Sequence, residues 1–124
     1  MLTFIEMHGF SDDWKSLGLG DEALFALQAV ILNLPRSGRV VPGTGNLRKL
    51  RFAPPEWKTD KRGAVRVCYV HFELCGIVLL VIAYGKNQKD DLTAGEKRAI
   101  RELIERQQRA LSKRLRSRQQ DEVS

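Results

Sequence analysis

Cysteine is scarce in this sequence: only Cys68 and Cys75 occur in 124 residues. Two cysteines are too few for a disulfide framework, and their spacing does not match a zinc site. A reducing cytoplasm is therefore the expected compartment. Long apolar runs are missing as well. The longest, Ile77–Ala83, falls far short of the ~20 residues that cross a bilayer, so it is expected as a buried strand and no membrane partner is expected. No basic segment precedes the first apolar residues, and Glu6 interrupts them, which argues against a secretory signal. Paired-carboxylate, His-Glu-x-x-His and Walker signatures are absent, and Gly43-Thr-Gly45 is too short to mark a phosphate loop. The sequence calls for neither a metal nor another cofactor. It carries no internal repeat and no low-complexity segment.

Hydrophobic residues make up 43% and charged residues 29%, a balance that excludes global disorder. The length fits one domain, read over residues 1–115, with a polar end at 116–124 that is expected to fray. A domain of this size buries roughly two-thirds of its unfolded surface. The net charge of +6 is unevenly spread. Residues 1–35 hold one base and five acids, whereas residues 36–66 hold nine bases and two acids. The stretch from Thr93 onward holds nine bases and five acids. A basic middle behind an acidic head suggests a polyanionic partner; solubility alone is the alternative.

Leu2–Glu6 is expected as a short first strand. Ser11 ahead of Asp12 and Asp13 predicts a short helix to Leu17. A second helix is expected over Asp21–Leu34, with Leu24, Leu27, Val30, Ile31 and Leu34 inward, ended by Pro35. Loops are expected at Arg36–Asn46 and Ala53–Gly63. Leu47–Phe52 alternates: Leu50 and Phe52 share one face, Lys49 and Arg51 the other. Ala64–Phe72 and Ile77–Tyr84 read as strands, the second apolar on both faces and therefore central. Short turns between strands predict antiparallel pairing. Thr93-Ala-Gly-Glu96 is a capping box opening a long helix with Ile100, Leu103, Ile104, Leu111 and Leu115 apolar. The fold class is α+β: a small antiparallel sheet, two N-terminal helices and a long C-terminal helix.

Three basic groups carry candidate chemistry. Lys49 and Arg51 lie side by side on one strand face, where they repel each other unless an anion bridges them. A hairpin-like return would set Arg66 beside them, and three converging cations would stabilise the charge of a phosphoryl transition state. Lys86 follows the central strand, placed for a further phosphate contact or a proton shuttle. The plainer readings are a solvated strand face, an ion pair of Arg66 with Glu56 or Asp60, and a loop lysine in water. His71 reads as a partly buried structural histidine, and His8 as a loop residue. Trp14 reads as helix packing, while Trp57 is equally suited to packing and to stacking on a base. Cys68 reads as a core residue.

Three segments in this order resemble the RelE/HigB family of type II toxin–antitoxin toxins, nearest its HigB-like branch. They are Gly45-Asn-Leu-Arg-Lys-Leu-Arg-Phe52, Lys61-Arg-Gly-Ala-Val-Arg-Val-Cys-Tyr69, and Ala83-Tyr-Gly-Lys-Asn-Gln-Lys-Asp-Asp-Leu-Thr93. The resemblance spans roughly residues 1–115, the first 40 in pattern more than in letters. It implies a metal-independent mRNA endoribonuclease that acts on mRNA in the ribosomal A site. It also implies neutralisation by a cognate antitoxin, often a helix-turn-helix DNA-binding protein. In this chemistry the ribose 2′-OH attacks the adjacent phosphate while basic side chains stabilise the charge. On the matching positions, Lys49 and Arg51 would be phosphate ligands, Arg66 a transition-state clamp and Lys86 a further contact or shuttle. Arg48, Lys61, Arg62, Tyr84 and Lys89 would contact RNA. Some members carry a late tyrosine with an acid–base role; here no tyrosine follows Tyr84, which leaves Tyr84 and Lys86 as candidates. Two other readings compete: a ParE-like gyrase poison of the same fold, and a non-catalytic basic RNA-binding domain.

Overall fold

The structure is a computed structural model describing residues 2–57, 63–89 and 91–123, with side chains in the last helix through residue 118. Strand β1 (Thr3–Glu6) leads into α1 (His8–Ser16) and α2 (Asp21–Asn33). Strands β2 (Arg39–Val40), β3 (Arg48–Phe52), β4 (Val65–Phe72) and β5 (Ile77–Gly85) follow, then α3 (Ala94–Val123). The strands form one sheet in the order β1-β5-β4-β3-β2. The α+β class and the long C-terminal helix agree with the sequence reading. Among the described residues no helix is long and apolar enough to cross a membrane.

The sheet is mixed rather than wholly antiparallel. β2 through β5 pair antiparallel, but β1 joins the edge of β5 parallel to it, with Thr3 opposite Ile77 and Glu6 opposite Leu80. The reason is the route of the chain. After β1 the two helices carry it across one sheet face to the far edge, so β1 meets β5 only through a long connection, as parallel neighbours require.

β5 is central and apolar on both faces because each face is covered. On one face, Phe10 and Trp14 of α1 and Ala23, Leu27 and Ile31 of α2 pack on Phe52, Val65, Val67, Tyr69, Val78 and Leu80. On the other, Leu92, Ile100 and Ile104 pack on Leu47, Cys68, Val70, Leu79, Val81 and Tyr84. Trp14 stacks on Phe10 at 5.3 Å and on Phe52 at 6.2 Å, and its indole N–H donates to the Gly20 carbonyl. Trp57 is likewise buried in this core, so packing accounts for it. One irregularity interrupts β4–β5: Cys68 pairs with Ile82 but Tyr69 with Leu80, so Val81 is an extra residue, a β-bulge.

Several boundaries and faces differ from expectation. α1 begins at His8, not Ser11, so His8 is helical. Met7 still donates its N–H to the Leu80 carbonyl as the last rung beside β5, and the helix turns immediately after it. Ser11 therefore lies inside the first turn, bonding Glu6 through its hydroxyl. α2 is rotated relative to the expected face. Ala23, Leu27 and Ile31 form its buried stripe, while Leu34 is 66% exposed and Val30 lies mostly outward. Small Ala23 lets the helix sit close to the sheet, which turns the larger side chains away. The loop before β3 contains the short strand β2, folded back by Thr44, whose hydroxyl donates to Val41 and accepts from Leu47 N–H. α3 continues to Val123, past Arg116, where the fraying end was expected. The capping box forms as read: Thr93 Oγ1 accepts from Glu96 N–H at 3.1 Å, and Glu96 Oε1 from Thr93 N–H at 2.9 Å.

Tyr69 ties the loop before β2 to the core. Its buried hydroxyl accepts from Gly38 N–H at 3.1 Å and donates to the Pro35 carbonyl at 2.9 Å. At Gly38 a Cβ would meet Arg48 Cβ at 3.0 Å and the Tyr69 ring at 3.1 Å. Tyr69→Phe strands both loop groups and is expected to cost about 1–3 kcal/mol in urea unfolding. Gly38→Ala is expected to cost a similar amount, about 1–3 kcal/mol, by overpacking. Because both act on one contact, the double variant should lose less than the sum.

Candidate functional site

The strand register decides which of the basic residues meet. Arg51 lies directly opposite Arg66, and Arg66 directly opposite Tyr84, so these three form one row across β3, β4 and β5. Lys49 sits one row along, opposite Cys68 and on the same face. The convergence of Lys49, Arg51 and Arg66 expected from strand alternation is present. The bulge at Val81 is what brings Tyr84 onto this face; unbroken alternation from Leu80 would have put Ala83 there.

The face is only partly open, because the start of α3 and the segment before it cover its inner part. Arg51, at the outer strand, is exposed, Arg66 and Lys49 are half-buried, and Tyr84 is 2% exposed. Two carboxylates that the sequence reading did not place at this site enter here. Asp91 Oδ1 lies 3.6 Å from Lys49 Nζ, and its Oδ2 3.8 Å from Lys97. Glu96 accepts from Lys89 Nζ at 2.5 Å. Only Glu96 carried a signal, as the capping residue. Asp91 is fixed locally, its Oδ1 accepting Leu92 N–H at 2.7 Å.

By contrast, neither Arg51 nor Arg66 is paired with a carboxylate among the described residues. Arg66 Nη1 donates to the Ala64 carbonyl at 2.9 Å. No ion pair joins it to Glu56, and Asp60 lies outside the described residues. The result is two arginines directly opposite each other at the end of a rigid sheet, an arrangement that favours a bridging anion.

The remaining candidates divide by position. Lys86 is exposed in the turn after β5, two residues past Tyr84, at the same end of the sheet as the Arg51–Arg66 row. Lys89 lies over the Tyr84 ring, 5.6 Å from its centroid. Arg48 points to the opposite face from Lys49. It donates to the Gly38 and Arg36 carbonyls, so it serves the loop rather than this row. Lys61 and Arg62 lie outside the described residues. Tyr84 is placed beneath the surface, not on it. Its hydroxyl has no hydrogen-bond partner among the described residues, and burial pushes its pKa up to about 12. Burial likewise pushes the Cys68 thiol up to about 12, as suits a core cysteine. Behind the row, Asp13 of α1 accepts the Ala83 N–H at 3.1 Å, supplying the partner that β1 is too short to provide.

The two carboxylates are held below their ordinary range. For Asp91 the main cause is the Leu92 N–H, reinforced by Lys49 and Lys97; for Glu96 it is the hydrogen bond from Lys89, then the Thr93 N–H. A lowered folded value means that the unfolded chain binds these protons more readily. Their stabilisation is complete above the ordinary values of 3.8 and 4.5 and is lost as pH falls through the folded ones. Glu96→Gln retains an acceptor for Thr93 but removes the charge. Its urea midpoint should decline less steeply than wild type between about pH 5 and pH 3; superimposable acid limbs would remove Glu96 from this role. Compared with known proteins, the sequence matches no family model.

Proposed function

We propose that this chain is the toxin of a type II toxin–antitoxin system: a RelE/HigB-like endoribonuclease that cleaves mRNA on the ribosome and so stops translation. The observation that carries the reading is the Arg51–Arg66 pair, without a carboxylate partner among the described residues and flanked by Lys49 on one face of the sheet. Like charges placed opposite each other on neighbouring strands are destabilising. A phosphodiester bound between them turns that cost into attraction. The α+β fold with its long C-terminal helix supports the reading. The three matching segments supply β3, β4 and the end of β5, the parts that build the row.

In this reaction the ribose 2′-oxygen attacks phosphorus and the bond to the 5′-oxygen breaks. A 2′,3′-cyclic phosphate and a free 5′-hydroxyl result. The non-bridging oxygens gain negative charge at the transition state, where Arg51, Arg66 and Lys49 stabilise it. Lys86, exposed at the same end, is the group best placed to pass a proton to the leaving oxygen. Tyr84, buried below, supports Arg66 and Lys89 rather than touching RNA. The setting is cytoplasmic, the substrate is mRNA in the ribosomal A site, and the partner is a cognate antitoxin.

The test is primer extension on an mRNA in a translation extract, with a parallel reaction lacking ribosomes. New 5′ ends inside the reading frame only with ribosomes are expected. Lys49→Ala and Arg66→Ala should each abolish them, and full cleavage by both variants would remove the site assignment. Intact mRNA throughout would replace the nuclease with gyrase poisoning or plain RNA binding, separated by a supercoiling assay.

The same row sets a stability test. Arg51→Thr relieves the facing charges and should raise stability by up to about 1 kcal/mol. Added inorganic phosphate should raise the melting temperature of wild type more than that of the variant, by mass action on the native state. An equal phosphate response would place the anion elsewhere.

A further inference from the structure

α3 is longer than the sheet that it packs on. Thirty residues of helix span about 45 Å, whereas the nine residues of β5 span about 30 Å. Its apolar stripe does not stop where the sheet does. Ile100 and Ile104 are buried against the sheet, but the stripe continues at helical spacing through Leu111 and Leu115, which are only half-buried. Beneath them lies a groove of about 930 Å³, lined by these two leucines, by Ile77 at the start of β5 and by Leu74 in the turn before it. Leu74 is 89% exposed, an unusual position for a leucine on a tight turn.

The charged residues that line the groove, among those described, have one sign. From Arg106 to Arg118 the helix carries six bases and no acid, and Lys113, Arg114 and Arg118 line the groove itself. A polynucleotide would need only the cations. Four apolar side chains in the same groove, one of them almost fully exposed, call for an apolar ligand surface as well. A second copy of the chain would bring the same basic helix against itself.

We propose that this groove docks an amphipathic helical segment of a partner protein, with leucine-like side chains at i, i+4 and i+7 and acidic residues alongside. The apolar stripe seats between Leu74, Leu111 and Leu115, and its carboxylates meet Arg114 and Arg118. The site lies at the opposite end of β5 from the Arg51–Arg66 row, and the proposal stands whether or not the chain cleaves RNA.

The test is selection from a displayed library of random 16-residue peptides on the full-length protein. Counter-selection uses Leu74→Asp and, separately, Arg114→Glu. Both positions are exposed, and circular dichroism confirms that each variant is folded. Peptides specific for wild type should be acidic, with apolar residues at helical spacing. By fluorescence anisotropy they should bind wild type at least tenfold more tightly than either variant, and lose that preference when their acids are changed to lysine. The proposal fails if no peptide discriminates wild type from the variants, or if the discriminating ones lack either the acids or the apolar spacing. It also fails if a 12-mer oligouridylate binds wild type and loses affinity in Arg114→Glu but the peptides do not. Sedimentation showing a wild-type dimer that Leu74→Asp dissociates would assign the groove to a second copy and overturn it too. Primer extension on wild type, run separately, reports the nuclease independently of every one of these outcomes.

Discussion

Burial of β5 on both faces is the constraint on which the rest of the structure depends. Val78, Leu80 and Ala83 face the two N-terminal helices, and Leu79, Val81 and Tyr84 face α3. Each large apolar side chain fully removed from water contributes about 1.5–3 kcal/mol. A strand so placed requires a layer on each side, and it requires its hydrogen-bonding edges filled. β4 fills one edge along its whole length; β1 fills part of the other, and Asp13 completes it at Ala83. The three-layer order and the crossing of α1 follow from that requirement.

This scaffold carries positive charge at its margin. The helices and Asp13 fix the end of β5, β5 fixes β4, and β4 holds Arg66 opposite Arg51. The cations are not treated alike. Lys49 and Lys89 have carboxylate partners, which keeps them ordered without a ligand. The two arginines face one another across a rigid ladder, and a guanidinium's planar fork suits a phosphate's oxygens better than an ammonium does. The order of the site comes from the apolar core beneath it, and its affinity for anions from the charges which that core prevents from separating.

How much of this was legible in the sequence varied with the physics. Strand alternation placed Lys49 and Arg51 on one face, the capping box located the start of α3, and the apolar run at Ile77–Ala83 identified the central strand. Each depends on residues close together in the chain. The face of α2 was misjudged because helical spacing alone fits two overlapping stripes, and tertiary packing chose the one containing Ala23. β1 was legible as a strand but not as a parallel one, since its partner lies more than seventy residues away. Asp91 was missed because its role depends on Lys49, a neighbour only after folding. Tyr84 looked available to RNA from its place at a strand exit, and only the covering start of α3 shows that it is buried.

The bulge at Val81 acts as a phase shifter in the strand. Ahead of it, even-numbered residues of β5 face the N-terminal helices; beyond it, they face α3. The ladder on the core side and the ladder on the arginine side are therefore out of step by one residue. Were Val81 instead taken into a regular ladder, the hydrogen bonding would be unbroken and the protein worse, with Ala83 turned toward Arg66 and Tyr84 into the opposite core. The imperfection lets a single strand satisfy two layers whose side-chain sizes differ at its two ends. Substitutions along β5 should thus be tolerated by face, whereas gaining or losing a residue in the regular stretches on either side of the bulge would put the wrong side chains in each layer.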